Sequence, residues 1–317
     1  MDMTSVDEVL LCADPSAWRR GDSWLAGGTV LYSYGTDVTR GAPTRLLDIT
    51  GAGWEPLSWT TDPDGSPALE IAATCRVSDL YALPDADDLP VPRAALPGLD
   101  LIRPACDAFV ASWKIWNVST VGGNVATALP AGPMISLLAG WDAIALILRR
   151  DGRRRRVRVS ALVTGATRTG LEDGELIRSF HVPGLSLRQI PAFRRISLTE
   201  RGRSAALLIG RRTSDQSVRL TVTASTFHPI VLDLGAEPEA DAGTVHADAE
   251  SWRRAIDEAT ARRGWYDDIH GAPSWRRLMT HRLGDEILAE LLPGVATGVD
   301  AALGRTTGDL HIERRAS

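Results

Sequence analysis

Lysine is almost absent from this chain of 317 residues: Lys114 is the only one, and arginine supplies the other basic side chains. A P-loop NTPase needs a Gly-Lys-Ser/Thr sequence and a protein kinase needs a strand lysine, but neither context surrounds Lys114. The chain also contains no G-x-S-x-G elbow and no G-x-G-x-x-G fingerprint. These absences argue against P-loop NTPases and kinases, α/β-hydrolases and Rossmann dehydrogenases.

Cysteine is scarce as well, with Cys12, Cys75 and Cys106 too far apart for a disulfide framework or a C-x-x-C metal site. The six histidines form no H-E-x-x-H motif. We therefore predict no metal ligands here, and any iron–sulfur cluster would belong to a partner. No apolar run approaches the roughly 18 residues that span a bilayer. The N-terminus lacks a basic segment followed by an apolar one, so we expect a protein that stays in the cytoplasm.

The remaining composition is that of a soluble globular protein, with 44% hydrophobic and 24% charged residues. A net charge of −5 argues against a nucleic-acid partner. The basic run 149–158 surrounds Asp151-Gly152, a strong hairpin signal, and we interpret it as a solvated hairpin. The length favours two domains, at about 100 to 200 residues each.

Periodicity predicts a mixture of helices and strands. Val6, Val9, Leu10 and Ala13 fit a short first helix behind Thr4 and Ser5 as possible caps. A late helix with Ser274 as its N-cap and Pro293-Gly294 as its stop is also predicted. We predict a linker over the stretch 160–175, after which a second domain begins. Further predicted helices are 99–113 and 134–140, and predicted strands are 46–49, 68–73, 143–148, 156–159, 177–182, 193–198, 205–210, 218–223 and 230–234.

Two glycine pairs are the most informative feature. One lies in Leu25-Ala26-Gly27-Gly28-Thr29 and the other in the decamer Ile115-Trp116-Asn117-Val118-Ser119-Thr120-Val121-Gly122-Gly123-Asn124. Without Cβ atoms, such glycines can adopt positive φ and turn successive N–H groups toward one anion. A single Gly-Gly pair is most often only a turn. Two such loops that converge predict a site for the diphosphate of a dinucleotide.

These motifs resemble the FAD-binding medium subunit of the molybdenum hydroxylases, the family of xanthine dehydrogenase and carbon monoxide dehydrogenase. The two loops are similar to the family's L-A-G-G-T and I-R-N-x-G-T-I-G-G-N. Three further segments match in family order: Ser5–Leu10, Ala192–Ile196, and Asp267–Gly271 with Trp275-Arg276-Arg277.

The resemblance implies an α+β fold: a p-cresol methylhydroxylase-type FAD-binding domain of two α+β subdomains over residues 1–165, then a smaller α+β domain over 170–295. Residues 300–317 are expected to form a disordered tail. The resemblance also implies contacts with FAD: Ile177 would lie against the flavin, and Arg194 near the isoalloxazine or a phosphate. The diphosphate and ribityl chain would be held by backbone N–H groups of Trp24, Leu25, Ala26, Gly27, Gly28, Thr29, Val30, Leu31, Thr120, Val121, Gly122, Gly123 and Asn124. Core packing is an equally good interpretation of Ile177.

The chain departs from the family pattern at three positions. Pro133 stands where members place an aspartate, Val30 replaces a polar residue, and Trp116 replaces a frequent arginine. A lost hydrogen bond to a charged group costs about 1.5 to 3 kcal/mol, so these changes weaken the case for FAD.

The resemblance implies an oxidoreductase subunit with no catalytic residue of its own. A large molybdopterin subunit would oxidise the substrate, a small subunit with [2Fe-2S] clusters would relay electrons, and FAD in this chain would pass them to NAD, oxygen or another soluble acceptor. Two alternatives stay open: a flavin-free scaffold that docks the partner subunits, and a stand-alone flavoprotein oxidase.

Overall fold

The structure is a computed structural model that describes residues 5–34, 43–235 and 245–293. Within these ranges, the strands of the N-terminal part are β1 Glu8–Leu11, β2 Asp22–Leu25, β3 Arg45–Asp48, β4 Leu57–Thr61, β5 Pro67–Ala72, β6 Ile144–Leu148, β7 Arg154–Arg158, β8 Val163–Gly165, β9 Arg168–Thr169 and β10 Leu176–Val182. Its helices are α1 Leu31–Tyr34, α2 Val77–Ala82, α3 Ile102–Asp107, α4 Trp113–Trp116, α5 Val121–Thr127, α6 Pro133–Gly140 and α7 Val159–Leu162. Short 3-10 helices lie at Pro15–Ala17, Leu83–Asp85, Arg93–Ala95 and Pro97–Leu101.

The described residues of the C-terminal part form α8 Gly184–Arg188, five strands and two longer helices. The strands are β11 Pro191–Ile196, β12 Ala206–Ser214, β13 Ser217–Thr223, β14 Ile230–Gly235 and β15 Val245–His246, and the helices are α9 Ala249–Thr260 and α10 Pro273–Leu291. The fold is therefore α+β, as predicted. No helix of the three described ranges is both long and apolar enough to cross a membrane.

The first sheet has three parallel strands in the order β1-β3-β2. The carboxyl ends of parallel strands share one edge, so the chain leaves all three strands on the same side. The predicted first helix is wrong, because β1 pairs along its length with β3 and exposes Val9 and Leu11. Over so short a segment, apolar spacing fits a strand as well as a helix. Thr4, one of its two expected caps, lies outside the described residues.

The second sheet has five strands in the order β4-β5-β10-β6-β7. One face carries Leu69, Ile71 and Phe180 into the main hydrophobic core, while Glu70 and His181 alternate onto the other face. The predicted strand 177–182 forms, but it hydrogen-bonds between β5 and β6 instead of opening a second domain. We therefore propose that the division between the two units follows Val182 and not residues 165–170.

The third sheet has the order β11-β12-β13-β14-β15, and α9 and α10 cover one of its faces through a second core. The predicted C-terminal helix forms, but its N-cap is Ala272 with Pro273 in the first turn, so Ser274 lies inside the helix. Proline suits this position because the first-turn N–H has no helical acceptor. Helix α9 was not predicted, although Asp248 accepts hydrogen bonds from the N–H groups of Glu250 and Ser251 as a regular N-cap. Gly294 and the predicted tail 300–317 lie outside the described residues.

Candidate functional site

The first glycine loop leaves β2 at the carboxyl edge of the parallel sheet. Leu25 is buried at the end of the strand, and Gly28 has a φ of +67°, a conformation that favours glycine. Within the described residues, the backbone N–H groups of Gly27, Gly28 and Thr29 donate to no protein acceptor. Successive free N–H groups around a left-handed glycine are a recurrent anion-binding arrangement.

The second glycine segment touches this loop directly. A Cβ atom built on Gly27 would lie 1.7 Å from the carbonyl oxygen of Val118, so only glycine fits there. The Ser119 hydroxyl donates to Oγ1 of Thr29 across 3.2 Å. The structure thus brings the two motifs together, and the residues that make the contact are those just before Thr120. Val118 and Ser119 were not predicted as site residues, although both belong to the decamer.

The second segment is not the predicted turn. Gly122 and Gly123 occupy the first turn of α5, and neither has a positive φ. Each of the four N–H groups that begin this helix donates within the protein: Val121 to Cys75 O at 2.9 Å, Gly122 to Ala73 O at 2.9 Å, Gly123 to Thr120 Oγ1 at 3.0 Å and Asn124 to Thr120 O at 3.0 Å. The predicted positive-φ nest at Gly122-Gly123 is therefore wrong, because Thr120 caps a helix at this point.

The glycine at position 122 serves packing. A Cβ atom added to it would lie 2.5 Å from the Cβ of Ala73, just beyond β5, so α5 can approach the central sheet only without a side chain here. Asn124 is also structural, since its Oδ1 accepts from the N–H of Met134 at 3.1 Å and so caps α6. In the family pattern the acid would stand at position 133, where Pro133 opens α6 here.

An aromatic cluster of Tyr81, Trp113 and Trp116 lies beside the second segment. The ring centroids of the two tryptophans are 5.1 Å apart, and that of Tyr81 is 5.2 Å from Trp116. Trp116 is buried and its indole N–H has no partner among the described residues, whereas Trp113 is 59% exposed. Lys114, the single lysine, is exposed on the same helical turn.

The other residues that were predicted to contact FAD have different surroundings in the structure. Ile177 is buried in the main core, in agreement with the packing interpretation. Arg194 forms ion pairs with Glu286 at 3.2 Å and Glu290 at 2.6 Å, and both carboxylates lie on α10. The structure therefore engages Arg194 with the C-terminal helix. Trp24 donates its indole N–H to the carbonyl of Glu175 at 3.1 Å, and Val30 is 37% exposed.

The arrangement fits a diphosphate at the first loop. Three N–H donors are available there, the second segment closes against it, and neither glycine segment carries a carboxylate that would repel an anion. The second segment contributes shape and rigidity, since its own N–H groups are occupied by the protein.

Both glycine segments lie within the part of the chain that matches a known family. Residues 19–185 match the family described as the FAD binding domain in molybdopterin dehydrogenase. This chain belongs to that family. The resemblance seen in the sequence is thereby confirmed, and FAD is the cofactor of the family that the chain matches. A search of curated protein sequences found no significant match.

Solved structures show the same fold at low sequence identity. A chain of quinoline 2-oxidoreductase from Pseudomonas putida 86 aligns with a TM-score of 0.70 and 17% identity, covering 93% of this chain and 99% of that one. A chain of carbon monoxide dehydrogenase from Hydrogenophaga pseudoflava aligns with a TM-score of 0.69 and 20% identity, covering 92% and 99%. A chain of the reconstituted CO dehydrogenase from Oligotropha carboxidovorans gives 0.68 and 21%, covering 92% and 98%.

Proposed function

We propose that this chain is the FAD-binding electron-transfer subunit of a heterotrimeric molybdopterin/[2Fe-2S]/FAD hydroxylase. The family match supports FAD, and the first loop with its three available N–H groups is the observation that carries the proposal. FAD held there would supply the redox chemistry between the iron–sulfur subunit and NAD, oxygen or another acceptor.

The chain's own residues bind the cofactor and orient it. The N–H groups of Gly27, Gly28 and Thr29 donate to the diphosphate, and such charge-assisted hydrogen bonds are stronger than neutral ones. Thr120 and Asn124 cap α5 and α6, which fixes the second segment against the first loop. Neither glycine segment positions a general acid, base or nucleophile, which agrees with a chain that holds a cofactor and leaves substrate oxidation to a partner.

Purification of the chain tests the proposal. We expect it to bind FAD stoichiometrically, with the absorption bands of a protein-bound flavin, and to co-purify with a molybdopterin subunit and an iron–sulfur subunit from its native host. Inorganic pyrophosphate should compete with FAD, because it offers the same oxygen atoms to the first loop. A well-folded, colourless chain that takes up no FAD on titration would contradict the proposal.

Two observations favour a second candidate, the flavin-free docking scaffold. The occupied N–H groups of α5 and the absence of a carboxylate at Pro133 remove contacts that FAD would otherwise make. The scaffold predicts that a colourless chain still assembles with both partner subunits. Flavin content and assembly, measured on the same preparation, separate the two candidates.

A further inference from the structure

A cleft of about 470 Å³ lies on the face of the second sheet that points away from the main core. Leu146 and Leu148 of β6 line it from the sheet, and Ala13, Ala52 and Trp54 line it from the segments that follow β1 and β3. Its volume falls within the range of small-molecule sites, which combine apolar walls with a few polar groups. The lining residues lie outside both glycine segments, and none of them was predicted to bind a ligand.

A β-bulge in β10 brings two successive side chains to the cleft. Ile177 pairs with Ile147 of β6. The next pair joins Ser179 to Leu146, so Arg178 has no partner residue on β6. In a regular strand, neighbouring side chains point to opposite faces of the sheet, but here Arg178 and Ser179 both line the cleft. Bulges often re-aim a side chain beside a functional site, and this one places a guanidinium next to a hydroxyl.

The cleft contains two guanidinium groups without a protein acceptor. The guanidinium carbon of Arg178 lies 4.4 Å from the centroid of the Trp54 ring, so the indole holds this side chain in place. Arg154 of β7 also lines the cleft, beside its cross-strand neighbour Leu148. Within the described residues, neither arginine donates a side-chain hydrogen bond or forms an ion pair. Two such groups in one cleft favour a ligand with negative charge.

The pKa of Arg178 agrees with a shortage of negative charge in the cleft. Burial lowers this pKa, and the charge of Arg154 adds to the effect, although the charge of Glu70 opposes it. The single carboxylate of the cleft therefore does not compensate the two guanidinium groups.

The same carboxylate limits how much negative charge the cleft can take. Burial raises the pKa of the Glu70 carboxyl, but its neighbours outweigh burial, led by His181 with Nδ1 at 3.7 Å, and the pKa lies below its ordinary value. Glu70 is thus ionised at neutral pH. Two guanidinium groups facing one carboxylate leave one positive charge in excess, which matches a monoanion better than a dianion.

The Ser179 hydroxyl is a further donor that the protein leaves unused. Ser179 is 1% exposed and lies near Glu70, yet its hydroxyl completes no hydrogen bond of normal geometry among the described residues. A buried polar group without a partner costs free energy. An oxygen atom held by Arg178 can accept from this hydroxyl, because the two residues are adjacent on the bulge.

We propose that this cleft binds a small organic monocarboxylate with an apolar body, at a site separate from the first loop. The carboxylate accepts hydrogen bonds from Arg154, Arg178 and Ser179. The apolar body packs against Leu146 and Leu148. The proposal goes beyond the proposed function, since it concerns a second ligand and holds whether or not the chain binds FAD.

Calorimetric titration of the full wild-type chain tests the class of ligand, with benzoate as the probe. Benzyl alcohol has the same ring without the charge, and inorganic phosphate has charge without an apolar body. Each should bind at least about tenfold more weakly than benzoate, the loss expected when hydrogen bonds to a charged group or apolar contacts are missing. No binding of benzoate, or binding of benzyl alcohol or phosphate as tight as that of benzoate, overturns the proposal.

Substitution on the bulge tests the location of the site. Arg178→Met should weaken benzoate binding by about ten- to a hundredfold, as expected for one or two hydrogen bonds to a charged group. Arg156→Met is the matched control, because Arg156 is exposed on the same strand as Arg154 and does not line the cleft. Benzoate affinity in Arg178→Met equal to that of wild type overturns the proposal.

Two further measurements keep the test decisive. Ser179→Ala is a milder change that removes only a hydroxyl, and it should weaken benzoate binding by about two- to tenfold even if Arg178→Met does not fold. Unchanged affinity in Ser179→Ala contradicts the role of the hydroxyl. FAD titration of the same variants separates this site from the proposed function: FAD affinity should stay at the wild-type value, and its loss in Arg178→Met would overturn a separate site.

Discussion

Gly27 is the residue on which the contact between the two glycine segments depends. Its α-carbon approaches the carbonyl of Val118 so closely that the backbone itself occupies the space of a side chain. Neighbouring Gly28 is constrained differently, by its left-handed backbone. The resemblance predicted both glycines as cofactor contacts, and the structure adds that Gly27 is required even before a cofactor binds.

Gly27→Ala should therefore lower the free energy of unfolding by about 2 to 3 kcal/mol, because a methyl group forced into a filled space displaces backbone. It should also reduce FAD affinity, since the loop must move away from Ser119. Urea denaturation and flavin titration measure the two effects. Gly170→Ala is the control, with its nearest neighbours 3.8 Å from the added carbon, and should change stability by less than about 0.5 kcal/mol. A Gly27→Ala protein as stable as wild type would show that the close approach is absent.

Among the elements, strands were predicted more reliably than the glycine-rich helix. Alternation and β-branched runs mark β12, β13 and β14, whose apolar side chains enter buried cores. The strand β1 was missed because pairing with β3, a distant segment, decides its conformation. The helical state of Gly122-Gly123 depends on the cap from Thr120 and on acceptors at Ala73 and Cys75, which sequence spacing does not reveal.

The candidate site was likewise only partly visible in the sequence. The convergence of the two loops followed from motif resemblance. The hydrogen bonds that occupy the α5 N–H groups, and the ion pairs of Arg194 with α10, depend on tertiary packing. The stacked pair of Arg178 and Trp54, with the guanidinium carbon 4.4 Å from the ring centroid, carries no sequence signal, because the two residues meet only when the chain folds.

The turn between β4 and β5 is tied to β10 by His181, and this link predicts a pH dependence. Nε2 of His181 lies 2.9 Å from Asp62, which also accepts from the N–H of Gly184 at 2.8 Å. Hydrogen bonding to Glu70 and the charge of Asp62 raise the pKa of His181 above 6.5. The stabilisation that protonated His181 contributes is thus complete below the pKa of this histidine in the unfolded state. It is lost as the pH rises through the pKa of His181 in the folded state.

His181→Gln should accordingly destabilise the protein more at about pH 5.5 than at about pH 9, measured by urea denaturation at each pH. His281→Gln is an informative control, because burial lowers the pKa of His281. The contribution of that histidine is present above the unfolded-state pKa and falls as the pH decreases, so its trend should be opposite. Parallel trends for the two variants would contradict the assignment.

At the scale of the whole molecule, Arg211 joins the C-terminal sheet to the N-terminal unit. It extends from β12, is 2% exposed, and donates to the carbonyl of Gly140, to Ser186 Oγ at 3.0 Å, and to Gln189 and Asp142. Removing a buried, hydrogen-bonded charged side chain is strongly destabilising, because the buried acceptors that it served are left without a donor.

Arg211→Met should cost about 3 kcal/mol of unfolding free energy and separate the unfolding of the two units, seen as transitions that no longer coincide between near-UV and far-UV circular dichroism. Arg212→Met on the same strand is the control, since its side chain forms no hydrogen bond or ion pair among the described residues. A single unshifted transition in Arg211→Met would show that the two units are held together elsewhere.

The single lysine, Lys114, allows the protein to be labelled at one side chain. Lys114 is exposed within a few positions of Ser119, so an amine-reactive dye attaches at one internal place, next to the second glycine segment. Apart from the α-amino group at the chain start, no other amine competes for the reagent. A fluorophore placed there reports a change of environment around the second glycine segment without any engineered cysteine.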